Sequence, residues 1–208
     1  MRSNRALVIA FVVVATLTIA VITTIAATTT NAMTWNNFTI SKALAASTSL
    51  QIASIIMFII TAPLLVVAIV LTYRKISNSI VAVAIVAGLM YVLVPMVSIH
   101  LSVPAHLVFA VSLFILLGLY TVLVVVISTR LAKTGDVDTT RVFATKRRTA
   151  LIALCVIYCV DATALLAIGA TGINTPAVGV TEYLAVVLFF IFVLTQFQRT
   201  TKEARQRA

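Results

Sequence analysis

Apolar residues in this chain do not alternate with polar ones, nor do they recur as the single stripe of a surface helix; they fill long uninterrupted runs separated by short polar segments. An α-helix needs about 20 apolar residues to cross the roughly 30 Å hydrocarbon core of a bilayer. Six runs reach that length: Ala6 to Ala27, Leu50 to Tyr73, Ile80 to Ile99, Ala105 to Ser128, Ala150 to Ala170, and Ala177 to Phe197. Membrane strands would show period-two alternation, which is absent, so the pattern predicts helices. The expected fold is an all-α integral membrane six-helix bundle in one transmembrane domain.

Composition agrees. Of 208 residues, 62% are hydrophobic and 10% charged, and the mean hydropathy of +1.18 lies far above that of soluble domains, which must cover themselves with polar surface. The net charge of +10, from 15 Lys and Arg against 5 Asp and Glu, would suit a nucleic-acid binder until the positions are read. Short loops accumulate Lys and Arg on the cytoplasmic side. With six spans, Arg2, Arg5, Arg74, Lys75, Arg130, Lys133, Arg141, Lys146, Arg147, Arg148, Arg199, Lys202, Arg205 and Arg207 share one face, and only Lys42 takes the other. Both termini are therefore expected in the cytoplasm, with a basic tail over 198–208. Nucleic acid is not an expected partner.

Met1 to Arg5 followed by an apolar run is also the layout of a secretory signal peptide. The run exceeds the usual 7 to 15 residue core and no small-x-small cleavage site stands out, which favours an uncleaved first span. Cleavage would leave five helices in the same orientation. The outer segment from Thr28 to Ser49 reads as a polar loop and holds Asn37-Phe38-Thr39, a glycosylation sequon on the side where glycosylation occurs. The inner segment Thr129 to Thr149, with Gly135-Asp136 and several Thr, reads as a flexible surface loop.

Chemistry-bearing side chains are few. Ionisable residues inside a bilayer normally face the bundle interior with a partner. His106 and Glu182 both lie a short way inside the outer ends of their helices and are expected to meet in a hydrogen bond, as a packing contact or as a clamp or lipid-headgroup site. Asp161, near mid-membrane, reads as a neutral acid bonded to a nearby hydroxyl, with a proton or cation relay as the alternative. Cys155 and Cys159, four apart on one helix, cannot close a disulfide and supply too few metal ligands. Pro63, Pro95 and the Ala84-x-x-x-Gly88 strip read as packing features. Lys146, Arg147 and Arg148, with Arg199, Lys202, Arg205 and Arg207, form basic segments able to attract anionic inner-leaflet lipids at about 1 kcal/mol per charge. No nucleophile elbow, H-E-x-x-H zinc site or phosphate-cradling Gly-rich loop occurs, so neither an enzyme nor a bound cofactor or metal is expected.

Four stretches carry a likeness. Glu182-Tyr183 opens a Phe189-Phe190-x-Phe192 run that closes in Leu194-Thr195 and Gln196-Phe197-Gln198-Arg199. Pro104-Ala105-His106 leads through Phe109-Ala110-Val111 and Phe114 to Leu119-Tyr120. Arg148 leads into Leu151 to Tyr158. Phe38-Thr39-Ile40-Ser41 precedes a second helix ending in Tyr73-Arg74-Lys75. In this order they resemble the damage-regulated autophagy modulator (DRAM) family. The chain departs from it in the outer loop, where the family favours aromatic-Ile-Ser-Asp-Thr-Gly and this chain has Ile40-Ser41-Lys42-Ala43-Leu44, and is read as a divergent member of the wider superfamily. The resemblance implies a non-enzymatic modulator of autophagy and endolysosomal membrane trafficking, in the lysosomal membrane, acting through membrane lipids or a membrane-protein partner. The superfamily also implies an alternative, a plasma-membrane organiser that recruits a phosphoinositide kinase or affects lipid asymmetry, and it includes Golgi proteins that remodel glycolipid anchors. A small-solute or ion transporter is a third expectation, since six helices suffice to enclose a path.

Overall fold

The computed structural model describes residues 2–29, 39–97, 102–134, 145–170 and 176–197. These form seven helices and, among the described residues, no strand: α1 (Arg2–Thr29), α2 (Ile40–Ala45), α3 (Thr48–Tyr73), α4 (Asn78–Met96), α5 (Val103–Thr134), α6 (Thr145–Ala170) and α7 (Pro176–Gln196). All but α2 are long and apolar enough to cross a membrane, the shortest such segment being Asn78–Met96 with 19 residues, about 28 Å at 1.5 Å per residue. Their outward faces confirm the solvent: Val160 is 66% and Leu17 59% exposed, which water would penalise and lipid does not. The protein is a multi-pass helical membrane protein.

The helices stop and start for local reasons. Ser47 and Ser77, in extended conformation, cap α3 and α4 by accepting from Leu50 N and Ile80 N, which satisfies N–H groups that have no intrahelical partner. Between α3 and α4 the chain reverses over Arg74 to Ser77, with Ile76 N and Ser77 N donating to Tyr73 O. Two inner segments differ from expectation. α5 continues to Thr134 and α6 begins at Thr145, so the polar loop expected over Thr129 to Thr149 is in part helix, because a helix leaving the bilayer still satisfies its own backbone. Residues 135–144 lie outside the described residues.

Neighbouring helices pack in the order α1, α3, α4, α5, α6, α7, and α7 returns to α1. This closed ring of six surrounds a central space. On the inner face, Asn4 Nδ2 donates to Thr72 Oγ1 at 2.9 Å, and Gln196 Nε2 donates to the Tyr73 hydroxyl at 2.6 Å. The start of α1 and the ends of α3 and α7 therefore share a level, as six alternating spans require. The main core occupies this inner half, where Tyr73, Tyr120, Tyr158, Phe189 and Phe192 are buried among aliphatic side chains. A second cluster closes the outer end: Ile40, Ala43 and Leu44 of α2 pack on Ile22, Ala26, Leu50 and Phe58. Those α2 positions fall at i, i+3 and i+4, one face of a helix.

Small residues set the α3–α4 distance. A Cβ on Gly88 would stand 2.6 Å from Val66 Cγ2, with Ala84 and Ala87 buried beside it. The Ala84-x-x-x-Gly88 strip is thus a packing surface, as expected of close transmembrane helices. Cys155 and Cys159 are free thiols.

Candidate functional site

α2 was not legible as a helix, and it organises the outer site. Six residues cannot sustain a helix by propagation alone, and the first N–H groups of any helix lack partners. Here they are satisfied from two sources. Thr39, extended at φ −121°, accepts from Lys42 N through its side chain at 3.1 Å and from Ala43 N through its carbonyl. The remaining two donors are met from the far end of the chain: Glu182 Oε2 accepts from Ile40 N at 2.8 Å, and Oε1 accepts from Ser41 N at 3.3 Å. Ser41 Oγ also donates to Oε1 at 2.8 Å. Glu182, about two turns into α7, is buried at 8% exposure, and three converging donors replace the water it has lost. Beside it in α2, burial pulls the Lys42 ammonium below its ordinary range.

The expected His106–Glu182 pair is not formed. His106 is buried, but its Nδ1 donates to Val97 O at 2.7 Å, and its Nε2 has no hydrogen-bond partner among the described residues. The physical reason is azimuth. His106 turns toward the end of α4 and Glu182 toward α2, so the two face different neighbours. His106 closes the end of α4 instead, where Gln51 Nε2 donates to Pro95 O at 3.2 Å; both bonds occupy carbonyls that the helix end leaves free.

Asp161 is buried on α6, and among the described residues no hydroxyl or other group bonds its Oδ2, where a hydroxyl partner was expected. No group of three or more His, Cys, Asp or Glu side chains that could hold a metal ion occurs among the described residues. Arg147 and Arg148 are half-buried in the first turns of α6, Arg147 close enough to act electrostatically on the Tyr73 hydroxyl. Asn37, Arg199, Lys202, Arg205, Arg207 and the side chain of Lys146 lie outside the described residues.

Two features carry no sequence signal of their own. At the inner end Gln196 joins three helices, accepting from the Tyr120 hydroxyl at 2.8 Å while donating to Tyr73. Above it the ring encloses a partly open cavity of about 100 Å³, reaching from Tyr120 and Ile69 up to Ile40, Ser41 and Glu182. Its middle is walled by aromatic rings: Phe58 stacks on Tyr91 at 4.3 Å, and Phe11 meets Tyr91 and Phe190 edge-on. Leu65, Val66, Leu113, Leu117 and Val186 complete an almost wholly apolar wall. Threonines do not wet it. Thr18, Thr61 and Thr121 donate back to their own helices, at Val14 O, Met57 O and Gly118 O. The cavity is an apolar slot with a carboxylate and a hydroxyl at its outer end, where Ile40, Ser41 and Leu44 of α2 line it.

No protein-family model, curated protein or solved structure matches the chain.

Proposed function

We propose that this protein is a non-catalytic membrane protein that holds the tail of a membrane lipid between its helices, and that it modulates autophagy and endolysosomal membrane trafficking through that contact. The cavity carries the first part of the reading. Apolar cavities of this order stay dry and take up apolar guests; one of about 150 Å³ suffices for benzene. In a bilayer the abundant apolar guest is an acyl or isoprenoid chain, and a slot of about 100 Å³ accommodates a segment of one while the rest lies among the surrounding lipids. The cellular role is supported by the sequence resemblance alone. A transport path is disfavoured, because solutes and ions require polar groups along the way, and among the described lining residues these are few: Glu182 and Ser41 at one end, and the Tyr91 and Tyr120 hydroxyls, which already bond Thr61 and Gln196.

Reconstitution with lipids bearing a diazirine near the end of one tail tests the reading. Labelling is expected on cavity-facing Phe58, Tyr91 and Phe189, and is expected to fall when Ala87→Leu fills the slot, while lipid-facing Leu17 and Val160 label unchanged. Labelling confined to the outer faces, or indifferent to Ala87→Leu, would refute it.

A further inference from the structure

We infer that the cavity selects lipids whose head donates a hydrogen bond and carries no negative charge, with Glu182 Oε2 as the acceptor; this rests on the lipid-holding reading above. A carboxylate offers about four lone-pair sites, two on each oxygen. Ser41 N and Ser41 Oγ occupy both on Oε1. Ile40 N occupies one on Oε2. Among the described residues nothing takes the remaining site on Oε2, and Glu182 itself lines the cavity.

A ligand that uses this site must donate to it. Every partner Glu182 has among these contacts is a donor, so the carboxylate serves as an acceptor throughout. Anionic heads are disfavoured on two counts: like charge next to the carboxylate, and, among the described residues lining the cavity, no Lys, Arg or His. A hydroxyl or a protonated amine satisfies both conditions, and the apolar wall below accepts a single chain. Alcohol and long-chain amine are two sources of the same chemistry. The amine adds a charge-charge attraction and the alcohol does not.

The test uses the full chain in nanodiscs and four photoreactive probes that share one diazirine tail and differ in the head: primary alcohol, primary amine, phosphate and methyl ether. Alcohol or amine should label Phe58, Tyr91 and Phe189 about tenfold more than methyl ether, the scale of one hydrogen bond to a charged group, and phosphate should label no more than the ether. Alcohol above amine assigns a hydroxyl head, and amine above alcohol a cationic one. Glu182→Gln, which keeps an acceptor oxygen without the charge, should remove any excess of amine over alcohol. Ser41→Ala, which frees a site on Oε1, should keep or raise donor-head labelling. Equal labelling by all four probes, or phosphate above alcohol and amine, would overturn the head selectivity while leaving the lipid-holding reading intact. No cavity labelling by any probe would overturn both.

Discussion

Glu182 and Ile40 are 142 positions apart in the chain, and the carboxylate of one accepts the backbone N–H of the other at 2.8 Å. Through this bond the last transmembrane helix supplies the cap that a six-residue outer helix cannot make for itself. Glu182→Ala leaves Ile40 N, Ser41 N and Ser41 Oγ without their acceptor, and each buried donor left so costs about 1–3 kcal/mol. We expect at least about 2 kcal/mol lost in detergent unfolding, together with new protease cleavage near Ile40, and a smaller loss for Glu182→Gln. Ser41→Ala and Glu182→Gln should combine non-additively because they share a bond, whereas His106→Ala and Glu182→Gln should add. Coupling between His106 and Glu182 above about 0.5 kcal/mol would contradict the separation seen here.

Gln196 should behave as the centre of a three-member unit. Replacing it with Leu leaves the Tyr73 and Tyr120 hydroxyls buried without their shared partner, and about 2–4 kcal/mol should be lost in thermal or denaturant unfolding. Adding Tyr73→Phe and Tyr120→Phe to Gln196→Leu should recover part of that loss, since no orphan remains.

Gly88→Ala places a methyl 2.6 Å from Val66 Cγ2 and should destabilise by about 1–3 kcal/mol through overpacking. Val66→Ala in the same chain should relieve it, giving a double variant more stable than Gly88→Ala alone. Equal stability of Gly88→Ala and wild type would mean that α3 and α4 are further apart than described.

Asp161→Asn should leave stability within about 0.5 kcal/mol of wild type or raise it, because Oδ2 has no hydrogen bond to lose among the described residues and desolvating an acid costs more than desolvating an amide. A loss above about 1 kcal/mol in the same unfolding assay would reveal a partner for this side chain.

The six spans were legible because about 20 apolar residues in succession have one stable solution in a bilayer, and the observed helices start and end within a few residues of the expected ones at most boundaries. The exceptions are informative. Arg130 and Lys133 mark where α5 leaves the apolar layer, but charge does not end a helix, so the boundary inferred from hydropathy fell short of Thr134. α2 escaped because Thr39-Ile40-Ser41-Lys42 has the composition of a loop; the sign was Thr39 as a cap followed by apolar residues at Ile40, Ala43 and Leu44. His106 and Glu182 were paired on depth alone, which is all that span counting yields. Which way each faces depends on the ring order of helices, a tertiary property. The cavity had no signal at all: Leu65, Val66, Ala87 and Val186 are ordinary transmembrane residues, and only the space between them distinguishes the site.

The central claim is that a lipid tail occupies the centre of the bundle, and density from the full chain in nanodiscs, at a resolution that shows side chains, tests it most directly. A continuous rod of non-protein density should run between Phe58, Phe114 and Phe189 and end beside Glu182. A bundle in which these rings close on one another, with α2 still seated on Glu182 and no density between them, would contradict it.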